Sequence, residues 1–199
     1  LPFQLNIQLL SFKIDDPWPS LRLTLRTSIP CGKYQKLSRK KLETDAFGNG
    51  CWYPELAIAS SKLWRVGGIH YFEARLYSGY RIGVPTSVQG FNVYGGDRKT
   101  SGTAYPGNIF FTDVAFQYNL SVNWALACDI NYFHRNRSRF SGRTKTPVGL
   151  PSSEQFSLAP ALEYNFSKNY GLIGGVWFSV AGRNSPQFVN GLLSFNAYL

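Results

Sequence analysis

The stretch Phe3-Gln4-Leu5-Asn6-Ile7-Gln8-Leu9 alternates apolar and polar residues without a break, and Leu21-Arg22-Leu23-Thr24-Leu25-Arg26 repeats the pattern. A helix would scatter these side chains around its circumference, whereas a strand puts each set on its own face. Working outward at period two, strands are expected near residues 3–12, 20–29, 53–64, 69–82, 108–119, 123–135, 155–166, 171–181 and 188–199. The connections run to about 7, 23, 4, 25, 3, 19, 4 and 6 residues, so short and long alternate almost to the end. A soluble sandwich has no reason to keep its long loops on one side. An outer-membrane barrel has one, with tight periplasmic turns and long extracellular loops. The expected fold is therefore all-β, an antiparallel transmembrane β-barrel with nine strands visible, in a single domain over residues 1–199.

Composition supports the class. Aromatic residues make up 16% and charged residues only 16% of the 199, a balance that favours strands over helices. No stretch approaches the roughly 18 apolar residues of a membrane helix; the longest uncharged run, Asn169 to Gly182, is broken by glycines. A helical membrane protein is excluded. Three cysteines without a C-x-x-C spacing indicate neither a zinc site nor a disulfide-dense scaffold. No metal and no cofactor is expected.

Aromatic placement fits the same orientation. With the C-terminus in the periplasm, Trp18, Trp64, Phe72, Tyr118, Trp124, Phe166, Tyr170 and Tyr198 fall at the periplasmic strand ends, and Trp52, Tyr80, Tyr132 and Phe156 at the outer ends. Rings with a polar edge favour the headgroup level and form two girdles there. The last strand places Leu193, Phe195, Ala197 and Leu199 on one face, like the terminal signal of bacterial barrel proteins, although these usually end in Phe. Strands one and nine then run in the same direction and cannot close antiparallel, while bacterial barrels have even strand numbers. At least one outward strand, and an odd number in total, is expected before residue 1; the chain also lacks Met and a secretory signal. The alternative is an eight-stranded barrel of strands two to nine, with residues 1–14 lying elsewhere.

Period two assigns a lumen face. Leu21, Leu23 and Leu25 face lipid, so Arg22 and Arg26 point inward; the same parity sends Glu73, Arg75, Arg81, Asp113, Asp129 and Glu163 to the interior. A charge on the lipid face at midplane would cost ~2–4 kcal/mol, which enforces the sorting. The third strand sorts poorly, because Ser60 and Lys62 share a face with Leu56 and Ile58. Arginines on early strands and carboxylates on later ones allow either a wet pore with opposed charged walls or a lumen closed by ion pairs.

The net charge of +10 calls for an anionic partner, and position decides which. Eleven of the 21 Lys and Arg lie in the three long loops, among them Arg39, Lys40, Lys41, Arg137, Arg139 and Arg143. Facing outward, these cations stand level with lipopolysaccharide phosphates; solvated loop surface is the plainer reading. No recognised nucleic-acid module accompanies the charge, so nucleic acid is not an expected partner. Cys31 and Cys51 stand at the two feet of one loop, where an envelope location permits a disulfide. Only His70 and His134 could serve as a catalytic base, His134 with Ser138 nearby in sequence, and an enzyme is not expected.

Phe156-Ser157-Leu158-Ala159-Pro160-Ala161-Leu162-Glu163-Tyr164, followed by Val180-Ala181-Gly182-Arg183-Asn184, resembles the closing strands of the phenol meta-pathway (MetA-type) outer-membrane family. Leu21-Arg22-Leu23 through Ile29-Pro30-Cys31-Gly32-Lys33-Tyr34 resembles that family's earlier strand and Pro-x-Gly-x-Tyr hairpin, with Cys31 where many relatives carry Thr. The resemblance covers most of the chain and implies the C-terminal portion of a bacterial outer-membrane barrel that passes small, aromatic or apolar molecules. It supplies no catalytic residues. The functions to be weighed are a channel or transporter in the lipid bilayer, a structural or adhesin barrel acting through its basic loops, and, least favoured, a barrel-embedded lipid-modifying enzyme.

Overall fold

The computed structural model describes residues 1–11, 17–41 and 44–197. The side chain of Arg39, together with Phe12, Tyr198 and Leu199, lies outside the described residues. The nine expected strands are present as β1 (Pro2–Leu10), β2 (Ser20–Ser28), β3 (Glu55–Gly67), β4 (His70–Arg81), β7 (Ile109–Asn119), β8 (Trp124–Arg135), β10 (Ser153–Asn165), β11 (Tyr170–Arg183) and β12 (Val189–Ala197). They form one antiparallel sheet in the order β1-β2-β3-β4-β7-β8-β10-β11-β12. Among the described residues there is no α-helix, and the only helical turn is the 3₁₀ segment Arg39–Lys41.

Tight turns hold one end of the sheet together. Gly67 (φ 147°) and Gly68 (φ 53°) take left-handed backbone angles between β3 and β4 that a side chain would oppose. The next two turns share a different device, a serine hydroxyl that accepts the backbone N–H two residues on. Ser121 Oγ accepts from Asn123 (3.2 Å) and Ser167 Oγ from Asn169 (3.2 Å).

The strand register separates two faces. Leu25, Leu56, Tyr80 and Phe110 are successive cross-strand neighbours, as are Leu21, Ser60, Leu76, Val114, Ile130, Leu158, Phe178 and Val189. This apolar face is exposed, with Leu56 at 53% and Leu126 at 47%. Near the tight turns it carries a chain of ring contacts: Trp64–Phe72 (5.6 Å), Phe72–Phe116 (6.0 Å), Trp124–Tyr164 (4.6 Å) and Tyr170–Phe195 (6.0 Å). The opposite face is polar and concave: residues of β1, β2, β3, β4, β7 and β8 converge on one cavity of about 430 Å³.

The sheet is open. Nine strands alternating in direction leave β1 and β12 parallel, and neither pairs along its outer edge among the described residues.

The long loops hold the main surprise. Residues expected as irregular loop contain three further strands, β5 (Thr86–Gln89), β6 (Ser101–Tyr105) and β9 (Arg139–Arg143), paired as a second sheet in the order β5-β6-β9. The loop before β3 joins them through Lys36 N to Gln89 O (3.1 Å), Leu37 N to Phe91 O (2.9 Å) and Val93 N to Tyr34 O (3.0 Å). Val88, Tyr94 and Ala104 are buried at the centre, packed by Tyr34, Val93, Phe140 and Val148. The three loops thus form a cap with its own small core, in which Val88 and Ala104 are fully buried.

Candidate functional site

All eight charged residues assigned to the interior by parity project from the concave face, in successive cross-strand rows. The row nearest the cap runs Arg26, Glu55, Arg81, Ile109, Arg135. The next charged row contains Arg22, Ala59, Tyr77, Asp113 and Asn131, and below it come Ser61, Arg75, Ala115 and Asp129. Glu73 lies beside Gln117, and Glu163 beside Ala125, nearer the tight turns.

The structure brings Arg22, Arg75, Asp113 and Asp129 around the one 430 Å³ cavity with Gln8, Ser20 and Tyr77. No ion pair within 4.0 Å joins these two arginines to these two aspartates among the described residues; Arg75 instead lies 4.0 Å from Glu73. Gln117 donates to Glu163 (3.3 Å). The middle of the concave face is therefore a solvated charged surface and not a zipper of closed pairs.

The outermost row is organised differently. Glu55 is buried, its side chain 1% exposed, and accepts from Arg81 Nε (2.6 Å) and Tyr77 OH (3.0 Å). A carboxylate removed from water needs such partners, because its desolvation cost exceeds what one contact returns. Glu55 was missing from the residues picked out by pattern, although extending the alternation from Ala57 and Ala59 reaches it. Arg135 was missed in the same way and shares the parity of Asp129 and Asn131. Its Nε is buried without a hydrogen-bond partner.

A second omission is aromatic. Tyr77, Phe111, Phe133 and Trp177 line a cavity of about 390 Å³ next to the charged one, together with Asp113, Asn131, Gln155 and Ser157. Trp177 Nε1 donates to Ser157 Oγ (3.0 Å), and the Arg81 guanidinium lies 5.1 Å from the Phe111 ring. Phe111 shares the parity of Asp113, and Phe133 that of Asp129 and Asn131, so continuing the alternation reaches both, although the adjoining apolar Phe110 and Tyr132 mask the pattern locally. Gly79 makes room for Phe111: a Cβ there would stand 2.7 Å from its Cζ and 2.6 Å from Ala57 Cβ.

The cap closes over this outer row. Cys51 and Tyr53, from the loop that enters β3, pack with Ile109. The cysteines are free thiols: Cys31 is exposed, whereas Cys51 is buried and accepts a hydrogen bond from Tyr94 OH (3.6 Å), so no disulfide staples the loop. Burial pushes the Cys51 thiol pKa up, and burial also raises the Tyr53 and Tyr94 hydroxyls.

Loop cations cluster on the cap surface. Lys36, Lys40 and Arg98 surround one depression, and Arg137 and Arg139 another beside Ser138 and Val148. Arg143 ends β9, and Lys41 ends the 3₁₀ turn. The two histidines are engaged elsewhere. His70 Nδ1 meets Asn119 O (2.9 Å), and His134 meets Asn136 Oδ1 (3.1 Å) and Glu154 (3.5 Å). Ser138 Oγ accepts from Leu150 N (2.5 Å), so the structure does not bring Ser138 and His134 together as a hydrogen-bonded pair. Among the described residues no group of three or more His, Cys, Asp or Glu could hold a metal. No protein-family model matches the chain, and no curated protein matches it in sequence.

Proposed function

We propose that the nine-stranded sheet is the larger part of a bacterial outer-membrane β-barrel of the phenol meta-pathway type, and that it conducts small solutes, aromatic ones included, past its concave face. The observation that carries this reading is the inverted sorting of the sheet: exposed apolar side chains on one side, unpaired Arg22 and Asp113 around a cavity on the other. A soluble sheet hides its apolar face, whereas a barrel in lipid shows it. Closing the sheet antiparallel takes an odd number of further strands between β12 and β1; a second copy in the same orientation would add nine, but its edges would meet β12 and β1 in parallel. The exposed edges favour such a continuation, since long unpaired edges otherwise invite aggregation.

In this setting the ring contacts near the tight turns form the periplasmic girdle, and the cap is the extracellular layer. Lys62 lies two residues from Trp64 on the apolar face, close enough to the girdle for a lysine stem to carry its charge to the interface. The cap cations Lys40, Lys41, Arg137, Arg139 and Arg143 stand where lipopolysaccharide phosphates would meet them. A second reading, a barrel acting through its loops, is favoured by the cap, which has a packed core and is not a set of loose connections.

The test is single-channel conductance of the full-length protein refolded into a planar bilayer. Stepwise current whose ion preference shifts in Arg22→Gln or Arg75→Gln supports the conduction path. A silent bilayer, with folding verified by heat-modifiable electrophoretic mobility, removes it in favour of the loop-mediated role.

A further inference from the structure

We propose that the space between the cap and the outermost row of the concave face is a binding site for a small organic carboxylate, held by Arg135 and Arg81; the proposal rests on reading the concave face as a solute path.

The charge count of that row comes first. Arg26, Arg81 and Arg135 face a single carboxylate, Glu55, which leaves two positive charges without an acid. Glu55 is committed to Arg81 and Tyr77. Arg135 has no carboxylate within 4.0 Å among the described residues, and its Nε is shielded from water without an acceptor. A buried donor left unmatched costs free energy that an arriving acceptor recovers. A guanidinium is also the side chain whose planar fork matches a carboxylate in two parallel hydrogen bonds.

Space is present at the same place. A cavity of about 440 Å³ opens between Arg81, Arg135 and Ile109 on the sheet and Cys51, Tyr53 and Pro30 on the loops. That volume suits a small molecule and excludes a lipid headgroup with its chains. Its walls define the rest of the ligand. Ile109, Tyr53 and Cys51 form an apolar cluster beside the guanidinium, and Phe111 continues an aromatic surface beneath Arg81 toward Phe133 and Trp177. A carboxylate joined to a flat apolar body satisfies both parts: the head pairs with Arg135, and the body lies against the rings. Arg81, already oriented by Glu55 through its Nε, offers its remaining N–H donors without having to be ordered on binding.

The full-length protein is labelled at arginine Nε with ¹⁵N, refolded in detergent micelles and titrated with sodium benzoate, benzyl alcohol and inorganic phosphate. The Arg135 signal is assigned by its loss in Arg135→Lys. Benzoate should move it saturably, benzyl alcohol should not, and Arg135→Gln should weaken benzoate binding roughly 10-fold or more, followed through the Arg81 signal. The titration of the unsubstituted protein stands even where a variant fails to fold. An Arg135 signal unmoved by benzoate, or moved by phosphate alone, overturns the assignment. Absent benzoate binding in a protein that conducts would remove this site and leave the channel. Saturable binding in a protein silent in bilayers would do the reverse.

Discussion

Removing the Glu55 carboxylate should destabilise the sheet more than removing any other single charge on its concave face. The side chain is 1% exposed and accepts two hydrogen bonds, from Arg81 Nε at 2.6 Å and Tyr77 OH at 3.0 Å. Hydrogen bonds to a charged group contribute about 1.5–3 kcal/mol each. Arg81 keeps 32% of its side chain exposed, so water takes over part of what it loses and the lower end of the range applies. Glu55→Ala should therefore cost about 3 kcal/mol, roughly a hundredfold in the folding constant. Glu55→Gln keeps the shape and both contacts but not the charge, and should cost about 1 kcal/mol. The assay is urea unfolding of the full-length protein in phospholipid vesicles, followed by tryptophan fluorescence, with Arg81→Met completing a double-mutant cycle. A coupling of about 1–2 kcal/mol is expected between the two positions. Glu55→Ala within about 0.5 kcal/mol of the parent, or a coupling of zero, would refute the reasoning, because a buried, doubly bonded carboxylate cannot be so inexpensive to lose.

The remaining predictions address the apolar face, the cap and its thiols. Leu76→Arg, on the exposed apolar face, should cost ~2–4 kcal/mol in vesicles if that face contacts lipid; the same unfolding assay with no measurable loss would place it in water. Asp97 is held below its ordinary value of 3.8, chiefly by backbone N–H groups of Lys99 and Lys145. A depressed carboxylate contributes stability that is present above 3.8 and lost as pH falls through the lower folded value. Hydrogen exchange at the Lys99 and Lys145 amides should accelerate as pH falls through that range, beyond the intrinsic pH trend, and Asp97→Asn should show the acceleration at neutral pH. Iodoacetamide should label exposed Cys31 and leave Cys51 untouched until the cap unfolds, since burial both hides the Cys51 thiol and raises its pKa. Mass spectrometry of the peptides reads this directly, and equal labelling would mean the cap does not close over Cys51.

Much of the large sheet can be read from local alternation. Leu21, Leu23 and Leu25 on one parity and Arg22 and Arg26 on the other already place two faces, because the side-chain period of a strand is 2 whatever it pairs with. The tight turns follow from Gly67-Gly68 and from the serines at 121 and 167. Parity alone also carries Asp113, Asp129 and Glu163 to the concave face, and it reaches Glu55 and Arg135 once the pattern is continued to the strand ends. At Phe110-Phe111 and Tyr132-Phe133 the local pattern is silent because both neighbours are apolar; parity carried from Asp113 and Asn131 turns Phe111 and Phe133 inward, and the space Phe111 occupies comes from register with Gly79 beside Ala57.

The amino-acid sequence by itself determined the class, the nine long strands and the side each charge takes, since these depend on neighbours one or two residues away. Only the tertiary structure decided the rest: that Arg22 and Asp113 share a cavity without pairing, that Glu55 belongs to Arg81, and that Arg135 lacks an acid. The cap shows the reason most clearly. Its strands β6 and β9 are Ser101–Tyr105 and Arg139–Arg143, five residues each, with no alternation to announce them. What makes them strands is pairing across more than thirty residues of chain, Ser101 with Arg143 and Tyr105 with Arg139, over the buried Val88, Tyr94 and Ala104. Their backbone hydrogen bonds come from distant partners, which meet because the large sheet brings its long loops to the same end.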